Sequence, residues 1–128
     1  MKLELKDLAC YLPYDLKIKT GDYIRTLSIS VTTTTEISLS NVLCDVGYKP
    51  ILRPLSDLTK EIEIDDEYYV ISEEYHYLRF DEISNYKGGS DVLRFIQARE
   101  QDILLEWHFD IFGLIEKGLA IDINTLND

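Results

Sequence analysis

The sequence contains no apolar run near the roughly 18 residues that a membrane-spanning helix requires. Its opening, Met1-Lys2-Leu3-Glu4-Leu5-Lys6-Asp7, is charged and amphipathic rather than the apolar stretch of a secretory leader, so a cytoplasmic location is expected. Cysteine is scarce: the 128 residues hold two, Cys10 and Cys44, with no CxxC spacing and no histidine close by in sequence. Both lie in apolar surroundings, Leu8-Ala9-Cys10 and Val42-Leu43-Cys44, and read as reduced core thiols, neither catalytic nor disulfide-bonded. Histidine is equally scarce, His76 and His108 only, which leaves little room for His-dependent catalysis. HExxH, EF-hand and paired ExxH patterns are missing, as is a Gly-rich phosphate loop. The expectation is a protein without catalytic residues, metal or cofactor.

Positive charge is lacking in one half only. Residues 1–53 carry seven Lys/Arg against six Asp/Glu and residues 54–128 carry six against eighteen, so the halves stand at +1 and −12. A negative field of that size opposes contact with a nucleic-acid backbone or an anionic membrane. What remains is a composition suited to folding. The 45% hydrophobic and 29% charged content is that of a globular chain rather than a disordered one. Its length lets one domain bury about two thirds of its unfolded surface without a disulfide or metal.

Leu3, Leu5, Leu8 and Leu12 predict a short opening helix that Pro13 ends. Leu16 and Ile18, then Ile24, Leu27, Ile29 and Val31, predict two strands joined at Thr20-Gly21-Asp22, the second continued by Thr32 to Thr35. Ile37, Leu39, Val42 and Leu43 fit a strand and a short helix equally. Pro50 and Pro54 argue against a continuous interior strand over 48–58, whereas Pro54 suits the first turn of a short helix through Leu58. Glu61-Ile62-Glu63-Ile64, the polar Asp65-Asp66-Glu67 and Tyr68-Tyr69-Val70-Ile71 make a hairpin pattern.

Residues 72–87, rich in tyrosine and acid without a clean period, predict surface structure. Gly88-Gly89 breaks the chain, Ser90 suits an N-cap, and a helix is expected from Asp91 to Lys117, continuous or broken near Arg99. Its apolar stripe, Ile103, Leu104, Trp107, Ile111, Leu114 and Ile115, leads to a stop at Lys117-Gly118 and a strand over Leu119-Ala120-Ile121 with Ile123. The fold class is α+β: a compact single domain over 1–128 with a short N-terminal helix, antiparallel strands and hairpins, and a long C-terminal helix followed by a short strand.

Three constellations are candidates for function. On a helix Glu106 and Asp110 lie one turn apart and share a face, while His108 points about 200° away from Glu106. That trio reads as a solvated acidic face with a histidine at its edge. Tyr48, Lys49 and Arg53 surround Pro50-Ile51-Leu52 and can hold a carboxylate or phosphate, Arg53 bidentately. The structural alternative pairs Arg53 with an acid of the second half. Tyr68, Tyr69, Tyr75 and Tyr77, with Glu73 and Glu74, offer the large amphipathic side chains of a protein-contact surface. Alternate tyrosines covering the core with their hydroxyls in solvent would explain them as well.

Two segments, Tyr48-Lys49-Pro50-Ile51-Leu52-Arg53-Pro54-Leu55-Ser56-Asp57-Leu58 and Glu106-Trp107-His108-Phe109-Asp110-Ile111-Phe112-Gly113-Leu114-Ile115-Glu116-Lys117-Gly118-Leu119-Ala120-Ile121-Asp122, resemble parts of small uncharacterised proteins encoded by phages and prophages of gut Bacteroidales. The resemblance implies expression in a bacterial host cytoplasm and an accessory viral role, and it brings no active-site residues with it. The expected function is a non-enzymatic phage or prophage accessory protein that binds a protein partner through its acidic, tyrosine-rich surface. The alternative is a small-ligand protein that binds or sequesters a nucleotide with Lys49 and Arg53. A metal-dependent hydrolase is the weakest reading, for want of ligands.

Overall fold

The computed structural model describes residues 3–28, 35–44 and 47–126. Helix α1 (Leu5–Leu8) is opened by a capping box in which the Glu4 N–H donates to the Asp7 carboxylate at 2.8 Å. A 3-10 turn, Ala9–Tyr14, follows. Pro13 lies inside this turn instead of ending the helix, since its fixed φ near −65° is that of a 3-10 turn. The chain reverses at Asp15, left-handed at φ 55°.

Strands β1 (Lys17–Thr20) and β2 (Tyr23–Ser28) form the expected hairpin, with Gly21 at φ 57° in its turn. The expected continuation through Ile29, Val31 and Thr32–Thr34 lies outside the described residues. Thr35 is in a turn, and its carbonyl accepts the Thr26 N–H at 2.7 Å. The ambiguous segment resolves into both alternatives in succession, β3 (Glu36–Ser38) and helix α2 (Leu39–Cys44).

Strand β4 (Lys49–Leu52) corrects the expectation drawn from the prolines. It is an interior strand, antiparallel to β1 with Pro50 opposite Ile18. Its other neighbour engages only Ile51 and Leu52, so Pro50 precedes that pairing, where a missing donor costs least. Pro54 then caps a 3-10 turn, Leu55–Thr59, as its position suggested. The alternating segment forms the hairpin β5 (Glu61–Ile64) and β6 (Glu67–Val70), turning on the left-handed Asp65 and Asp66. Four helices follow: α3 (Ile71–Glu74), α4 (Phe80–Ile83), α5 (Ser90–Phe95) and α6 (Ala98–Glu106). Strand β7 (Ile121–Asp122) completes a mixed five-stranded sheet in the order β3-β2-β1-β4-β7, with β2–β3 and β4–β7 parallel.

One sheet face, carrying Ile18, Leu27 and Leu52, packs into a single apolar core whose largest fully buried side chains are Tyr11, Phe80 and Phe109. Segment 72–87 is therefore more than surface: Phe80 and Ile83 are fully buried. The opposite sheet face carries Lys17, Lys19, Lys49 and Ile51, by the alternation of the strands.

The expected helix over 91–117 is two helices, and the second ends at Glu106. Gly89, not Ser90, is the cap residue of α5. The end of α6 is a Schellman motif: the His108 N–H donates to the Leu105 carbonyl and the Phe109 N–H to the Leu104 carbonyl, with His108 left-handed at φ 62°. Ile111 and Leu114 reach the same core from irregular chain. Gly118 is left-handed at φ 75° but closes a separate turn, its N–H donating to the Ile115 carbonyl at 3.1 Å. Cys10 and Cys44 are unpaired and exposed, which corrects their assignment to the core: apolar neighbours in sequence do not fix the direction of one side chain.

Candidate functional site

The acidic tyrosine segment folds as the hairpin β5–β6 and the short helix α3 beyond it. Cross-strand pairing sets Tyr68 against Glu63 and Tyr69 against Ile62, so the two tyrosines point to opposite faces. Tyr68 is 62% exposed, whereas Tyr69 packs edge-on against Trp107 with ring centres 5.6 Å apart and donates its hydroxyl to the Glu67 carboxylate. Tyr75 packs edge-on against the buried Phe80 at 6.0 Å. Tyr77 is 58% exposed and accepts a hydrogen bond from the Arg99 guanidinium at 2.9 Å. Glu73 and Glu74 are exposed. The segment thus divides its tyrosines between two tasks: Tyr69 and Tyr75 cover the core, and Tyr68 and Tyr77 present their rings to solvent.

Glu61, Glu63, Asp65, Asp66, Glu73 and Glu74 make no ion pair among the described residues. Glu61, Glu63, Asp65 and Asp66 line a hollow with Arg53 and Lys60.

Tyr48, Lys49 and Arg53 do not converge. Tyr48 is half-buried against the core, and Lys49 stands directly opposite Lys19 on β1. Arg53 continues β4 through a parallel bridge to Phe109, its N–H donating to the His108 carbonyl and its own carbonyl accepting the Asp110 N–H, both at 2.8 Å. It lines hollows to which neither Tyr48 nor Lys49 contributes. The guanidinium makes no ion pair or hydrogen bond among the described residues, contrary to the expected pairing with an acid of the second half. Burial pulls its pKa down, and Asp57 offsets this only in part. The Asp57 carboxylate is itself taken by the Asn124 amide at 2.8 Å.

Residues 106–110 do not form a solvated helical face. Glu106 is exposed, but Asp110 is buried, and its carboxylate accepts the Leu114 N–H at 2.8 Å and the Ile115 N–H at 2.9 Å. Burial raises the Asp110 pKa, and these backbone donors hold it back. His108 Nε2–H donates to the Tyr14 carbonyl, which fixes its tautomer. Burial keeps the His108 pKa below its usual value; the Tyr14 carbonyl and Asp15 oppose that shift, and Arg53 and Lys17 reinforce it.

Sequence reasoning missed the most fully engaged charged pair, Arg79 and Glu100. The buried Glu100 carboxylate accepts the Arg79 N–H at 3.0 Å, its Nη2–H at 2.8 Å and the Gln97 N–H at 2.9 Å. The same guanidinium donates to the Phe95 carbonyl at 2.7 Å and lies 4.0 Å above the Phe95 ring. Burial opposes ionisation of Glu100, yet these donors hold its pKa below the usual carboxylate value. The only local signal was a Gln97…Glu100 capping box, visible once the helix start is known.

Among the described residues no group of three or more His, Cys, Asp or Glu is placed to hold a metal ion, and no helix is long and apolar enough to cross a membrane. Comparison with protein-family models, with curated proteins and with solved structures returns no match.

Proposed function

We propose that the protein is a non-enzymatic binding module that docks its acidic, tyrosine-bearing surface on a basic patch of a protein partner. One observation carries this reading. The hairpin β5–β6 and helix α3 hold seven carboxylates without an ion pair among the described residues, and Tyr68 in β6 and Tyr77 just beyond α3 are both more than half exposed. Uncompensated carboxylates speed encounter with a basic surface and reject acidic ones, while tyrosine supplies rigid contact area. A nucleic-acid-binding protein with a basic groove fits this chemistry. A role as a phage or prophage accessory protein in a bacterial cytoplasm is consistent with it and rests on the resemblance of 48–58 and 106–122.

The test is affinity capture from host lysate at low salt with the parent protein and with Tyr68→Ser/Tyr77→Ser. Basic proteins retained by the parent, released by salt and lost from the double variant are the expected result. Equal retention by the variant, or no salt-sensitive retention, overturns the reading.

A further inference from the structure

The outer face of the five-stranded sheet is cationic in a chain of net charge −11. Lys17 and Lys19 on β1 and Lys49 on β4 share this face, and Lys19 directly opposes Lys49. Like charges directly opposed on neighbouring strands are destabilising, so the arrangement is not explained by sheet stability. Next to this row lies a hollow of about 440 Å³, within the usual range for small-molecule sites. Lys17 and Arg53 supply its positive charge, His108 lines it beside them, and Ile24, Ile51, Ile64 and Trp107 contribute apolar wall. Ile24 is 50% exposed at the rim, an apolar residue left to solvent.

The two cations make no ion pair among the described residues, although Glu106 lines the same hollow and Asp57 acts on Arg53. Lys17 Nζ donates to the Thr26 hydroxyl at 2.8 Å, a neutral partner. Arg53, half-buried, has no partner for its guanidinium among the described residues. Asp57 offsets the desolvation of Arg53 only in part, so an arriving anion would stabilise the guanidinium further. The Arg53 backbone is fixed on both sides by the bridge to 108–110.

We propose that this hollow binds a small amphiphilic carboxylic acid, its carboxylate on Arg53 beside Lys17 and its apolar body along Ile24, Ile51, Ile64 and Trp107. A planar carboxylate matches the guanidinium fork bidentately. Glu106, also in the lining, repels a phosphate dianion more strongly than a monoanion. Histidine at 108, neutral through burial and neighbouring cations, adds no charge of its own. Arg53 also lines the neighbouring hollow with Glu61, Glu63, Asp65 and Asp66 of the acidic surface, but the proposal does not depend on the docking role given to that surface.

Trp107 is the only tryptophan, so its fluorescence reports from the wall of the hollow. Octanoate titrated into the full chain should shift that emission saturably, with a matching heat by calorimetry. The neutral analogue 1-octanol should bind about tenfold or more weakly, and Arg53→Gln should weaken octanoate binding by about the same factor. Glu106→Gln should tighten it. Ile24→Asp, at the exposed rim, should weaken it while leaving Arg53 in place, and decides the question should Arg53→Gln fail to fold. No saturable octanoate response, equal binding of 1-octanol, or an Ile24→Asp variant that binds as the parent does overturns the proposal.

Discussion

His108 donates its Nε2–H to the carbonyl of Tyr14 across 94 residues at 2.5 Å, while its own backbone is left-handed at φ 62°. The C′ position of a Schellman motif ordinarily belongs to glycine. Here the side chain justifies the strained backbone by tying the end of α6 to the turn before β1.

His108→Ala is expected to lower stability by about 1 to 3 kcal/mol, since it leaves the Tyr14 carbonyl without its donor and keeps the unfavourable φ. His108→Gly should lose less, because glycine relieves the backbone. Denaturant melts of the two variants check the order; equal losses would mean that the backbone conformation carries no cost.

The lowered pKa of His108 sets a pH dependence. The unfolded chain takes up a proton near the usual value of about 6.5, above the value in the folded protein. This contribution is therefore fully present above about pH 6.5 and is lost as pH falls toward the folded value. Melting temperatures measured from neutral pH downward should fall more steeply for the parent than for His108→Gly. Parallel curves would show that His108 is not the group responsible.

A methyl group at Gly88 would meet the Gly113 nitrogen at 2.5 Å and the Asp110 carbonyl oxygen at 2.7 Å, whereas at Gly89 it would meet open space at nearly the same φ. Gly89→Ala should cost about 1 to 2 kcal/mol from the backbone alone, and Gly88→Ala about 1 to 3 kcal/mol beyond that. Equilibrium unfolding of the pair separates close packing from conformational freedom.

Replacing Glu100 by Gln strips the Arg79 guanidinium of its ionic partner and should lower the melting temperature. Arg79→Lys should lower it too, because an ammonium cannot span the Glu100 carboxylate, the Phe95 carbonyl and the Phe95 ring together. A lysine variant that melts like the parent would reduce the pair to a simple charge contact.

Cys10 and Cys44, both exposed, should react with a thiol reagent in the native protein at neutral pH. Cys→Ala at either position should change stability by no more than about 0.5 kcal/mol. Phe109→Ala, by contrast, should cost about 3 to 5 kcal/mol, and deletion of 99–128 should leave a chain without a cooperative melt.

The features legible in the sequence are those whose physics is local. Strict alternation and a polar turn specified the hairpin over 61–70, apolar β-branched residues around Thr20-Gly21-Asp22 specified the one over 17–28, and Pro54 marked the start of its short turn, because each depends on residues close together in the chain. The tertiary structure decided what depends on distant backbone. Helical periodicity continues past Glu106, but the Arg53 strand takes the N–H of Asp110 and the carbonyl of His108, and the Asp110 carboxylate then captures the Leu114 and Ile115 amides. The same long-range contacts bury Asp110, pair Arg79 with Glu100 and bring Arg53 beside Lys17, Trp107 and His108. Periodicity records which residues can be buried together; it holds no record of which backbone groups, some fifty residues apart in the chain, will compete for the same hydrogen bonds.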